Sequence, residues 1–451
     1  MPRMTSEPEQ QDSATNRSYA LWLLFAINVL NFYDRQIISA LTEPIRKEFA
    51  LTDGQVGGLG TAFVLFYAAA GIPLGRLADL KSRKRLLAAG VFVWSLFTAL
   101  AAATHGYWQL LGARLGVGAG EAVCAPAATS LLGDLFPASR RGKAMSIFML
   151  GLPAGIALSY VASGRIAQVY GWRAAFLIAG VPGLLVAASA LFLREPKRGA
   201  ADETPEEPAP LGRSPFLEVL AIPRFRWIVL SGVFHNFNLY ALGTFLTAFL
   251  MRYHGLELRR AADLSGVVFG LSGLPGLLLG GPAADIISRR GKRARLVLAA
   301  ALALASAPLA YLALTQSRGD IVAFSLLLGT ACALTYGYYP TVYPAIQDIV
   351  PPRLRGSAMA VYFFAMYVLG GAFGSWITGG LSDHFTKAAA QAARVVETTP
   401  EALEPFRAEG LRSAMTVIPC LGVALALVLF AAALSRGHAR LKTQGETPPF
   451  A

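Results

Sequence analysis

Charge is scarce in this chain. Charged residues make up 15% of 451 and hydrophobic residues 55%, with a mean hydropathy of +0.49, whereas a soluble domain carries about 25% charge. An ordinary soluble fold is thereby excluded, as are the disordered and collagen-like classes. Cysteine is scarcer still. Cys124, Cys332 and Cys420 lie in or beside apolar runs, have no metal-ligand spacing and build no disulfide framework. The five histidines are scattered, so no metal site and no bound cofactor is expected. Met1–Arg17 is polar and holds no apolar region ahead of a cleavage site, so the first apolar block reads as a retained span. Gly116-Val117-Gly118-Ala119-Gly120 has neither a preceding strand nor a Lys-Ser/Thr ending. The phosphate-loop signature fails, and the small residues read as close helix packing. No nucleophile–base pair and no sizeable soluble output domain is present, which sets aside a membrane enzyme or a receptor.

What is present is a series of twelve apolar blocks about 20 residues long, the length of a helix that crosses a bilayer. They run over 19–41, 56–76, 86–105, 108–134, 140–163, 173–193, 226–250, 263–284, 295–314, 321–348, 355–380 and 412–434. The expected organisation is a tail 1–18, a six-helix bundle 19–194, a polar linker 195–223, a second bundle 224–435 and a tail 436–451. The net charge of +13 is not that of a nucleic-acid binder, because no basic domain hosts it. Of the 40 Lys and Arg, 26 fall in the tails, the linker or the loops after even-numbered spans, and 12 in the opposite loops. Positive charge marks the cytoplasmic side, so both termini are expected inside a multi-pass plasma-membrane protein. Short tails and loops read as a bacterial chain, which makes that membrane the inner one. A monomer is the expected state, with membrane lipids as its surroundings.

The chain repeats itself. Gly75-Arg76-Leu77-Ala78-Asp79 with Ser82-Arg83 recurs as Gly281-Pro282-Ala283-Ala284-Asp285 with Ser288-Arg289. Asp134-Leu135-Phe136-Pro137 with Arg141-Gly142 recurs as Asp348-Ile349-Val350-Pro351 with Arg355-Gly356. Two motifs in one order at nearly one offset mark two parallel six-helix repeats. Such a design puts the substrate site between the halves near the midplane, with access that alternates.

A charge inside a span is expensive and is a functional candidate by default. The first helix carries Asn31, Asp34 and Arg35, whose spacing places them on one face. The fourth carries Arg114 and Glu121, nearly two turns apart on a shared face. Asp34 and Glu121 are the candidates for exchanging a proton as the cavity opens and fills. Arg114 suits an anionic headgroup, because its planar fork gives two hydrogen bonds. The competing reading is a permanent ion pair that sets helix packing. Arg35 either belongs to this group or snorkels toward the outer surface. The second half is polar without charge: His235, Asn236, Asn238 and Tyr240, then Tyr336, Tyr338, Tyr339 and Tyr343, then Tyr362 and Tyr367. Aromatic, weakly polar walls suit an amphiphile better than a sugar. His235 reads as a hydrogen-bonded polar residue rather than a proton carrier.

The repeats and Gly75–Arg85 resemble the major facilitator superfamily and its loop between helices two and three. The resemblance implies an all-α fold of twelve transmembrane helices in two pseudo-symmetric bundles. It implies gating by Asp79, Arg83, Asp134, Arg141, Asp285 and Arg289, with Asp79 and Asp285 holding an outward-open state. Gly151-Leu152-Pro153-Ala154-Gly155 resembles the superfamily's exporter motif. Asn31-Phe32-Tyr33-Asp34-Arg35, Arg114–Ala122, Met145-Ser146-Ile147-Phe148 and Leu193-Arg194-Glu195-Pro196 are similar to strings of the Spinster family of lipid transporters. That likeness implies movement of a lysophospholipid or sphingosine phosphate, coupled to protons through Asp34, Arg114 and Glu121. The expected binding set is Arg114, Asn31, Tyr33, His235, Asn236, Tyr336 and Tyr367. A multidrug exporter or an organic-anion:proton symporter is the alternative on the same fold.

Overall fold

The computed structural model describes residues 7–197, 215–289, 291, 293–351, 354–395, 397 and 399–435. The described residues form twelve long helical runs. In the first half these are α1 (Glu7–Ala40), α2 (Asp53–Leu80), α3 (Arg83–Ala101), α4 (Tyr107–Leu135), α5 (Arg140–Tyr170) and α6 (Trp172–Ala190). In the second they are α7 (Pro223–Arg252), α8 (Leu258–Ser288), α9 (Ala294–Leu314), α10 (Ile321–Ile349), α11 (Arg355–Ala392) and α12 (Pro400–Leu434). Most of the connecting linker, residues 198–214, and the tail 436–451 lie outside the described residues.

Ten of the runs are long and apolar enough to cross a membrane. The other two, α1 and α7, have 34 and 30 residues, more than the ~20 that a bilayer needs. Their lower apolarity has a cause: Asn28, Asn31, Asp34 and Arg35 on α1, and His235, Asn236 and Asn238 on α7, point away from lipid, and all except the slightly more open Arg35 are buried. Each stretch that faces lipid keeps its backbone hydrogen bonds within its own helix, as the bilayer requires.

The repeat extends to irregularities of the backbone. α4 turns out of the regular helix at Ala122-Val123 and α10 at Gly337, the corresponding places of the two halves. Each break lets a helix bend around the interior. α8 and α11 each contain a stretch of π-helix, Gly266–Leu271 and Ala365–Ala372, a widening that often marks functional positions.

The halves are tied together from the middle of the molecule to the face opposite the start of α1 and the end of α12. Here α2 lies on α11 and α5 on α8. A Cβ at Gly57 would land on the Ser375 carbonyl, and one at Gly379 on the Asp53 carbonyl, so glycine lets these backbones touch. Tyr160 Oη donates to the Gly243 carbonyl at 2.5 Å, and Thr42 Oγ1 to the Thr244 carbonyl at 3.3 Å.

Candidate functional site

Between the halves lies a cleft of about 870 Å³, counting the space open to solvent. One wall comes from α1, α2, α4 and α5 and includes Arg35, Phe63 and Arg114. The other comes from α7, α8, α10 and α11 and includes Asn236, Tyr240, Tyr336, Tyr339 and Tyr367.

The charged wall is layered. Glu121 is fully buried behind the cleft, and its Oε2 accepts from Arg35 Nε at 2.8 Å. The Arg35 guanidinium sits 4.4 Å from the centre of the Tyr67 ring, within cation–π reach. Arg114 donates to the backbone carbonyls of Asp34 at 3.0 Å and Arg35 at 3.4 Å and lies 4.5 Å from the centre of the Phe63 ring. Asp34 is buried beside them. Asp34 Oδ1 and Glu121 Oε1 have no hydrogen-bond partner, nor does Arg114 Nε. Thr98 and Trp94 lie beside Asp34, and Asn31 lies beside Glu121, so two buried carboxylates and two guanidiniums share one polar pocket.

This arrangement departs from the spacing argument in two ways. Glu121 takes its partner from α1 and not from Arg114, because nearly two turns of one helix separate the two α4 side chains. Arg35 is thereby a member of the site and does not snorkel. Of the expected binding set, Arg114, Asn236, Tyr336 and Tyr367 line the cleft. Asn31 is buried, with its Nδ2 unpartnered. Tyr33 is turned away: its Oη bonds Ser163 Oγ at 2.8 Å and its carbonyl accepts from Ser159 Oγ at 2.7 Å. It fastens α1 to α5, since one residue before Asp34 lies about 100° around the helix. His235 lies in a separate cavity inside the second half.

The expected gating residues occupy the face where α1 starts. Arg83 is buried and reaches Asp134; it also donates to Glu195 Oε1 at 3.1 Å. Glu195 accepts from Ser82 Oγ at 2.6 Å and from the Arg83 backbone at 2.8 Å. Burial alone would raise the Glu195 carboxyl; these donors outweigh it and hold it below the usual carboxylate range. Arg141 caps the end of the α4 run by donating to the Gly133 carbonyl at 2.8 Å. The side chain of Asp79 lies outside the described residues. In the second half the cation is not Arg289, which is exposed, but Arg295, bonded to Asp348 at 2.6 Å and Asp285 at 3.3 Å. Four positions separate Asp79 from Arg83 and ten separate Asp285 from Arg295, so the longer connection displaces the counterpart that string matching finds.

The opposite face carries a cluster that sequence reasoning missed. Arg252 donates to Glu43 at 2.7 Å and to both oxygens of Asp53 at 2.8 Å. Arg46 bridges Glu43 at 2.6 Å and Glu404 at 2.7 Å. Asp383 accepts from the Asp53 and Gly54 backbones at 3.0 and 2.8 Å, and Arg407 lies 3.7 Å from it. Apart from Arg46–Glu43 and Arg407–Asp383, these bonds cross between the halves. Burial would raise the Glu43 carboxyl, but Arg252 and Arg46 hold it below its ordinary value. Each residue lies outside the apolar spans read from the sequence, where a charge is ordinary, so nothing in the sequence singles it out.

Two helical halves around a charged midplane cleft define a membrane transporter. The chain belongs to the Major Facilitator Superfamily, whose family profile matches residues 24–375. Within it this is a Spinster-like member. It is 30% identical to protein spinster homolog 1 of Bos taurus over 86% of this chain and 75% of that protein. It is 28% identical to the sphingosine-1-phosphate transporter SPNS2 of Danio rerio over 79% and 74%. It is also 31% identical to an MFS-type efflux pump of Mycolicibacterium smegmatis over 81% and 85%. The crystal structure of a bacterial homolog of the human lysosomal transporter Spinster, inward-facing and unoccupied, superposes with a TM-score of 0.81 at 28% identity over 95% of this chain and 98% of that one.

Proposed function

We propose that this protein moves an amphiphilic anion of the lysophospholipid or sphingosine-phosphate kind across the membrane by alternating access, driven by protons. The observation that carries the reading is the division of the cleft. Arg35 and Arg114 offer a headgroup two cations on one wall, backed by Asp34 and Glu121, while tyrosines and phenylalanine face them. Arg114 binds the anionic head. Asp34 and Glu121 take up and release protons as the cleft opens and fills. Asp134, Arg141 and the Arg83 and Arg295 clusters act as the gate on the face where α1 begins. We place that face in the cytoplasm on the distribution of Lys and Arg, in a bacterial inner membrane. With that orientation the tied face is the outer one, and the conformation is closed to the outside.

The test is uptake or release of a labelled lysophospholipid by proteoliposomes, with and without a pH gradient, for the wild type and Asp34→Asn. The expected result is gradient-dependent movement that the variant loses. The likeness to an efflux pump favours a second reading, an exporter of uncharged or cationic drugs. Drug movement that persists in Arg114→Ala, with no lysophospholipid movement in the wild type, would establish that second reading and remove the lipid one.

A further inference from the structure

The second half holds a cavity of its own, about 550 Å³ counting the space open to its surroundings, bounded by α7, α8, α9, α10 and α12. Most of its wall is aliphatic. Five polar side chains interrupt it. Ser306 and Thr335 spend their hydroxyls on the carbonyls of Ala303 and Ala331, at 2.9 and 2.8 Å, and the other three carry atoms without a partner. His235 is 1% exposed, and neither of its ring nitrogens has a hydrogen bond. Its ring is stacked on Tyr338 at 4.0 Å between centroids, which fixes its plane. Asn238 is fixed as well, because its Nδ2 donates to the Ile418 carbonyl at 3.0 Å; its Oδ1 is left open. Tyr336 Oη is the third. Buried polar groups in folded proteins are nearly always satisfied, and each one left open costs free energy. Four such atoms on the lining of one cavity point to a place for a hydrogen-bonding ligand.

The chemistry of the four atoms describes that ligand. A neutral imidazole offers one donor and one acceptor, the asparagine oxygen accepts, and the tyrosine hydroxyl does both. None of the cavity's lining residues carries a carboxylate or a cation. The matching ligand is uncharged, largely apolar, and bears a single group that both donates and accepts, such as a hydroxyl or an amide. Leu239, Phe269 and Tyr336 line this cavity and the central cleft alike, so only side chains separate the two. We propose that this cavity is a second binding site, one that selects a neutral hydrogen-bonding group on an apolar body. The group belongs either to the chain of the transported amphiphile, reaching past the partition, or to a separate uncharged molecule. The site goes beyond the transport reading and does not depend on it.

The probe is an octanol that carries a diazirine on its alkyl chain, photolysed with the purified full-length protein and mapped by mass spectrometry. Adducts are expected on Asn238–Leu242 and Leu328–Tyr336. Octan-1-ol should suppress them and octane should not. His235→Phe with Tyr336→Phe keeps the rings and removes three of the open atoms; labelling there should drop roughly tenfold. Label confined to the lipid-facing surface, or equal suppression by octane, overturns the proposal, as does undiminished labelling of a folded double variant. If that variant does not fold, the octanol–octane contrast in the wild type decides alone. Competition by a lysophospholipid with a hydroxylated chain assigns the site to the cargo, and its failure beside competition by octan-1-ol assigns it to a separate molecule. The first assignment rests on the proposed function; the existence of the site does not, because the octanol–octane contrast is read without transport.

Discussion

The two halves of this transporter share a plan and differ in chemistry. α4 and α10 bend at matching places, and Asp134 with Arg83 is echoed by Asp348 with Arg295. Yet the interior of the first half holds four ionisable groups, Asp34, Arg35, Arg114 and Glu121, whereas the facing wall of the second is built from Asn236 and tyrosines. Repetition is kept where helices must pack and reverse direction, and given up where the cleft meets its cargo. Under the proposed function this contrast becomes a division of labour, with charge and protons on one side and the apolar body of the ligand on the other.

The comparison breaks most severely at the Arg35–Glu121 pair. Arg35→Ala leaves a buried carboxylate alone, and unfolding in detergent should show a loss of about 3–5 kcal/mol with transport abolished. Arg35→Met combined with Glu121→Gln should restore most of the stability and none of the transport. Unfolding of Arg35→Ala at the wild-type temperature would mean that the pair does not hold α1 on α4. A sharper contrast sets Asp34→Asn against Tyr367→Phe. The first should uncouple transport from the pH gradient, and the second should change affinity while the gradient response survives. Loss of the gradient response in both would end the assignment of protons to one half. Arg114→Ala should weaken binding of lysophosphatidylglycerol by about tenfold to a hundredfold, the worth of hydrogen bonds to a charged group, and scintillation proximity binding measures it.

The smallest effect concerns the outer cluster. Glu43 is held below its ordinary range, so the closure it supports is complete above that range and is lost only as pH falls through the depressed value. Spin-label distances between the halves on that face should therefore stay short at about pH 5 and lengthen only in stronger acid. Opening between about pH 7 and 6 would point to another group.

Much of the architecture was legible because the bilayer imposes it. The apolar blocks coincide with long helices, and the polar content of α1 and α7 already marked them as interior. The buried charges at Asp34, Arg114 and Glu121 were legible for the same reason, since a charge within a span must face inward. Their partners were not. Arg35 reached Glu121 across 86 positions, Tyr33 turned to Ser163, and Arg295 replaced Arg289 because the second connection is longer. The outer cluster of Glu43, Asp53, Arg252 and Asp383 gave no signal, since charges just outside the apolar spans are common.

By itself, then, the amino-acid order determined that this is a helical membrane protein of two repeated halves with a few charges at its centre. The reason is local: lipid demands about 20 apolar residues per crossing and backbone bonds closed within each helix. The tertiary structure decided which charges meet, which tyrosines reach the cleft, and where a second cavity leaves polar atoms open. Those outcomes depend on the rotation and depth of helices packed against one another, and a shift of one residue turns a side chain by about 100°.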